Sequence, residues 1–119
     1  MVEFIIRRKW KLLFHLGILM NDSTVAHFAS SSCNFMNRDQ TIKISSVEEF
    51  SMDRNTVRVA IPLAVHDVAH SRIETFRKGQ SKYNFFTNNC ITFVIFCAYG
   101  RRCTLFEMIE FIFRTIILT

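Results

Sequence analysis

"FHLGILMNDSTVAHF", Phe14 to Phe28, is the stretch whose reading decides the fold. Its first arm is apolar and suits either a helix or a strand. Asn21-Asp22-Ser23 is a turn signal, and the second arm, "TVAHF", is β-branched and aromatic. The stretch therefore reads as a β-hairpin. Its histidines, His15 and His27, stand twelve residues apart, one on each arm. Side chains alternate faces along a strand. A turn with an odd number of residues sets the two imidazoles directly opposite on one face, whereas a two-residue turn at Asn21-Asp22 sets them on opposite faces. Turn parity thus decides whether the pair can work together.

On the N-terminal side, Val2-Glu3-Phe4-Ile5-Ile6 reads as a first strand. Beyond the hairpin, "TIKI" (41–44) and "TVRVAI" (56–61) are two more strands, the second stopped by Pro62. "SSVEEF" between them has a capping Ser with Glu three residues on, the mark of a short helical turn. From Leu63 the period changes. Val65, Val68, Ala69, Arg72 or Ile73 and Phe76 recur at helical spacing, and Gly79 supplies a stop. "SKYNFFTNN" is a loop, and its last two asparagines can cap a helix beginning at about Cys90 and ending at Gly100. Leu105 to Leu118 forms a last helix. The chain thus reads as strands followed by helices, with residues 103–119 a C-terminal amphipathic or hydrophobic helix.

At 119 residues, half of them hydrophobic and 13 of them Phe, the chain can bury a real core in one domain. Its formal charge is +5. Basic residues are scattered rather than interleaved with aromatics, so no nucleic-acid partner is expected. The four cysteines, at 33, 90, 97 and 103, form no C-x-x-C pair, so neither structural zinc nor a disulfide framework is expected. His66 and His70 share a helical face, but no H-E-x-x-H pattern accompanies them. The expectation is no metal and no cofactor. The N-terminus lacks a long apolar signal region, which reads as a cytoplasmic protein.

Cys90 carries the chemical interest. In the first turn of a helix, free N–H groups and the dipole favour an anion, which predicts a lowered thiol pKa. A nucleophilic thiol also needs a base and a group to orient that base, and His15 and His27 are the candidates. A structure placing His15 on the opposite sheet face from Cys90 would sink this reading outright. The rival is an ordinary buried cysteine.

Two segments together resemble the lecithin–retinol acyltransferase family. "VEFIIRRKWKLLFHLGILMNDSTVAHF" is similar to the family's opening, a His-led strand, a turn and "V-x-H-hydrophobic". "YNFFTNNCITFVIFCAYG" is similar to its "Y-N-x-x-x-x-N-C-E-H-F-V". The resemblance covers about residues 2–101 and extends to Ras-suppressor-like phospholipid acyltransferases and some viral proteins. It implies an α+β, circularly permuted papain-like (NlpC-type) domain over residues 1–102, a small antiparallel sheet packed with helices. It implies that Cys90 is the acyl-accepting nucleophile, His15 the general base and His27 its orienting partner, converging so that the sulfur lies near hydrogen-bonding reach of His15. Tyr83 and Asn89 match family positions beside the site and are expected to bind substrate. The implied reaction is acyl transfer from glycerophospholipid esters to water or an amine through an acyl-thioester. Two departures stand out. The family's Glu-His after the cysteine is Ile91-Thr92 here, which bears on acceptor and turnover, and the turn glycines are missing. The alternatives are a cysteine peptidase or amidase of the same superfamily and a non-enzymatic interaction protein.

Relatives often carry a C-terminal membrane anchor. Here "TLFEMIEFIFRTIILT" is 16 residues with three charges, Glu107, Glu110 and Arg114, against the about 20 nearly uncharged residues of a bilayer span. It reads as an amphipathic helix that lies on a membrane or covers the domain's own core. Leu105, Phe106, Ile109, Ile112, Phe113 and Ile116 form the apolar face. The expected partner is a phospholipid or membrane surface, with peripheral association.

Overall fold

The computed structural model describes residues 2–10, 13–29, 41–61, 66–79, 89–101 and 103–117. The element order is β1 (Val2–Trp10), β2 (Leu13–Leu19), β3 (Thr24–Ala29), β4 (Thr41–Ser46), α1 (Val47–Ser51), β5 (Thr56–Ile61), α2 (His66–Gly79), α3 (Cys90–Tyr99) and α4 (Leu105–Phe111). A π-helical turn, Ile112–Ile117, continues α4. The strands form one antiparallel sheet in the order β4-β3-β2-β1-β5. The chain is thus α+β, as the resemblance implies.

β1 is longer than the sequence suggests. The basic run Arg7-Arg8-Lys9 stays extended because it is paired on both sides, Arg7 opposite His15 on β2 and Thr56 on β5. Ladder hydrogen bonds outweigh the polarity of a few side chains that can reach solvent at the strand end.

The hairpin turn has three residues, Asn21-Asp22-Ser23, closed by Met20 N–H donating to Thr24 O at 2.9 Å. The family glycines are not needed. Asn21 Oδ1 accepts from the N–H groups of Ser23 at 2.8 Å and Thr24 at 3.0 Å, an Asx turn that satisfies the loop without positive-φ glycine. The odd turn puts His15 and His27 on one face. They are not directly opposite, however. Ile18 pairs Ala26 and Leu19 pairs Val25, so the register places His27 across from Gly17, and His15 is its diagonal neighbour.

The sheet is covered on both faces. Even-numbered side chains, Phe4, Ile6, Leu16, Ile18, Ala26 and Phe28, join the main core with α2 and α3. Odd-numbered Ile5, Leu19 and Val25 meet Phe50 of α1 in a smaller cluster. α1 is held by its N-cap, Ser46, whose hydroxyl accepts from Glu49 N–H, and it ends with Met52 in left-handed backbone. On α2, Ala69, Ile73 and Phe76 are buried as expected, while Val68, expected on that face, is 42% exposed.

The C-terminal helix divides its apolar residues. Met108 and Ile116 are buried in the main core, Phe111 and Ile112 pack against it, and Phe111 meets Phe4 at 5.5 Å between ring centroids. The Arg8 guanidinium donates to Ile116 O. Leu105, Phe106, Ile109 and Phe113 face outward. The apolar residues expected on one face are therefore divided, Ile112 and Ile116 with the core and the others outward. No helix among the described residues is long and apolar enough to cross a membrane.

Candidate active site

Cys90 is the first residue of α3 and Asn89 is its N-cap, with extended backbone. Asn89 Oδ1 accepts from Ile91 N–H at 2.9 Å and Thr92 N–H at 3.1 Å, and Asn89 N–H donates to Thr92 Oγ1 at 2.8 Å. This is a reciprocal capping box. It gives the departure at 91–92 a structural reading: Thr92 supplies the box and Ile91 is buried in the core. At the other end Gly100 takes φ +78° and its N–H donates to Phe96 O at 2.8 Å. Arg72 donates to Cys97 O and Ala98 O, satisfying two of the last carbonyls. A helix capped at both ends holds Cys90 at a defined place.

His15 and His27 are joined, Nε2 to Nδ1, at 3.0 Å. His27 Nδ1 also lies 3.0 Å from Phe28 O, and its Nε2 lies 2.9 Å from Ser45 Oγ. Phe50 forms the floor: His15 stacks on it at 5.4 Å and His27 meets it edge-on at 5.0 Å. Arg7 pins that floor, donating to Phe50 O at 2.8 Å with its guanidinium 5.5 Å from the ring centre. Burial, with Arg7 adding positive charge, disfavours protonation of both rings. His15 is pushed down to about 3 and His27 to about 4. The pair is neutral at physiological pH.

The imidazoles and the cysteine helix occupy opposite sheet faces. Phe50 covers the histidines, while α3 packs on the face of Leu16 and Phe28. They approach where the β2–β3 ladder opens. Pairing runs through Ile18–Ala26 and Leu19–Val25 and goes no further toward the start of β2. Continued register would set Leu16 against Phe28. Instead Cys90 packs in the same core cluster as Leu16, whose backbone N–H favours its thiolate, and Phe28 O lies 3.0 Å from His27 Nδ1. Among the described residues no hydrogen bond joins the Cys90 sulfur to either ring, so the expected contact between sulfur and His15 is not made in this structure.

The thiol pKa corrects a second expectation. Burial pushes Cys90 up to about 11, while the Leu16 N–H, the helix N-terminus and Arg7 pull the other way and lose. A dipole and a few N–H groups do not offset near-complete removal from water. Cys97 is likewise pushed up, by burial, to about 12.

Of the other residues singled out, Asn89 is buried, and besides capping α3 its amide lies 3.2 Å from Met108 Sδ. Tyr83 and Cys33 lie outside the described residues. His70, weighed as a metal ligand, lies with Nε2 3.1 Å from Met20 O, and the side chain of His66 is outside the description. Arg7, Ser45 and Phe50 escaped the sequence reading. Alternation along "TIKISS" sets Lys43 and Ser45 on one face, but only the β3–β4 register, with Lys43 opposite His27, shows which imidazole they meet.

No curated protein and no solved structure matches the chain. A family model, lecithin retinol acyltransferase, matches residues 3–103. That span takes in all five strands, both histidines and the cysteine helix, and the chain belongs to the lecithin retinol acyltransferase family.

Proposed function

We propose that this chain is a thiol-dependent acyltransferase or phospholipase A-type hydrolase acting on glycerophospholipid esters. The family match supports acyl transfer as the reaction class. The observation that carries the reading to residues is the opened β2–β3 ladder, with joined imidazoles at Phe28 O and Cys90 packed in one cluster with Leu16. In this reading Cys90 loses its proton to His15 and attacks the ester carbonyl. The lysophospholipid alkoxide leaves, taking that proton, and Cys90 holds the acyl group as a thioester. Water or an amine then accepts the acyl group. His15 Nε2 is engaged by His27, so the base acts through Nδ1, and the thiol must reach it through the gap between the strands. Arg7 favours the thiolate from a distance. The order of elements, histidine strands before cysteine helix, is the order a permuted papain-like domain has.

The same reading places the domain at a lipid surface as a peripheral protein. Its support is the outward stripe of α4: Leu105 (56% exposed), Phe106 (84%), Ile109 (41%) and Phe113 (60%). Cutting the chain before α4 would remove Met108 and Ile116 from the core and uncover what they cover, so charge substitution is the sounder test. F106E and F113E together abolish sedimentation with phospholipid vesicles while leaving unfolding unchanged.

Intact mass after incubation with phospholipid vesicles tests the chemistry. An acyl-sized increment on Cys90, absent in C90A and greatly reduced in H15A, is expected. A second reading, a member that keeps the fold for interaction without turnover, is favoured by one observation: a buried thiol with no imidazole bonded to it among the described residues. Absence of any adduct with the protein folded and vesicle-bound selects that reading.

A further inference from the structure

We propose that Ser45 is a positioning residue whose hydroxyl sets the proton order of the His15–His27 pair, and with it whether His15 can act as a base. The inference rests on the acyl-transfer reading for its consequence but not for its geometry.

A carbonyl oxygen only accepts. His15 also faces Phe28 O, but the nitrogen at 3.0 Å from that oxygen is His27 Nδ1, and in the proposed resting order the proton of His27 sits there. His27 Nε2 is then an acceptor, and among the described residues the hydrogen in reach is that of Ser45 Oγ–H, 2.9 Å away. Ser45 therefore donates. On the other side, His15 Nε2 lies 3.0 Å from the same Nδ1–H and must accept, which puts the proton of His15 on Nδ1. In this order His15 Nδ1 carries a hydrogen and cannot take one from Cys90. It is a resting order, and it fits the thiol's lack of an imidazole partner.

The base-competent order is the reverse. His27 Nδ1 passes its proton to His15 Nε2, where Phe28 O still accepts it. His15 Nδ1 releases its proton to water, and His27 Nε2 gains one from water. The proton count is unchanged. Ser45 must now accept where it donated before. A hydroxyl can do both, an alanine neither, and a carboxylate only the second. Strand geometry supplies the placement: Ser45 lies diagonal to His27 on the same sheet face, two residues beyond Lys43, its direct partner. The groups facing the pair from elsewhere are Arg7 of β1, Lys43 of β4 and apolar Phe50 of α1, with the Cys90 thiol on the far side of the gap. None of these competes with Ser45 for His27 Nε2.

The test is ¹⁵N NMR of histidine-labelled protein, joined to the rate of Cys90 alkylation by iodoacetamide at neutral pH. In the unaltered chain His27 is protonated at Nδ1 and bare at Nε2. Ser45→Ala shifts the Nε2 resonance toward that of an unbonded acceptor, and Ser45→Thr does not. Ser45→Asp moves the proton to Nε2, bares His15 Nδ1, and raises alkylation about a hundredfold, the low end of what a positioned base supplies. A proton on His27 Nε2 in the unaltered chain overturns the proposal. So does an unmoved Nε2 resonance in Ser45→Ala, the arm that decides the matter should Ser45→Asp not fold. Correct tautomers without any acyl adduct on Cys90 support the proposal and count against the acyl-transfer reading alone.

Discussion

The two faces of the sheet are built for different purposes. One is thick and apolar: α2, α3 and α4 lay Phe76, Phe93, Cys97 and Met108 on Phe4, Leu16, Ile18 and Phe28. The other is thin: a five-residue helix lays one ring, Phe50, on Ile5, Leu19 and Val25, with Arg7, His15, His27 and Ser45 beside it. The thick face supplies stability. The thin one holds the titratable groups, which a deeper core would tolerate less well. Cys90 belongs by packing to the first and by proposed chemistry to the second. A gap in one strand pair is what lets a single residue serve both.

The contrast is broken most severely on the thick face. Phe93 is fully buried between Phe28 and Phe76, so F93A costs about 3–5 kcal/mol in denaturant unfolding. A cost below about 1 kcal/mol would show that this face is not the stabilising one.

Acid acts on the thin face. Both imidazoles have folded pKa values depressed below the ordinary 6.5, to about 3 and about 4. The folded state therefore binds fewer protons than the unfolded one between those values and 6.5. Stability is fully present above pH 6.5 and is lost as pH falls toward 4 and 3. Between pH 6.5 and 4.5 the loss is roughly 2–4 kcal/mol, below full linkage because His15 is partly exposed. H15Q/H27Q flattens that slope, and an equally steep slope in the double variant would place the acid sensitivity elsewhere.

Gly17 links the two faces at the gap. A Cβ there would collide with Val25 Cγ1 and come within 3.2 Å of His27 Cβ. G17A therefore costs about 1–3 kcal/mol and displaces His27, seen as altered imidazole NMR shifts. Unchanged shifts would mean that the strands can part without moving the pair.

The smallest effect belongs to the cap. N89A removes the oxygen that binds two free N–H groups of α3 and costs about 0.5–2 kcal/mol. If α3 frays as expected, Cys90 alkylation changes with it. An unchanged rate would show that the thiol's exposure does not depend on its cap.

Much was legible in the sequence because it depends on neighbours close along the chain. Alternation in "TVRVAI", the capping Ser46, the helical period over Ala69, Ile73 and Phe76, and Asn89 before an apolar run all act within a few residues, so local pattern determines them. The parity of the Asn21–Ser23 turn, and hence the shared face of His15 and His27, was a question the sequence could pose. The answer lies in the hydrogen bonds of Asn21.

Tertiary structure alone decided the rest. Val68 reversed its expected burial because burial depends on what stands opposite, not on period. Ser45 and Arg7 reach the histidines through strand register, which spans long sequence separations and leaves no local mark. Cys90 is the sharpest case. A helix N-terminus by itself favours a thiolate, and that much follows from sequence. Burial disfavours one more strongly, because removing charge from water outweighs a few N–H dipoles, and burial is a property of the assembled chain.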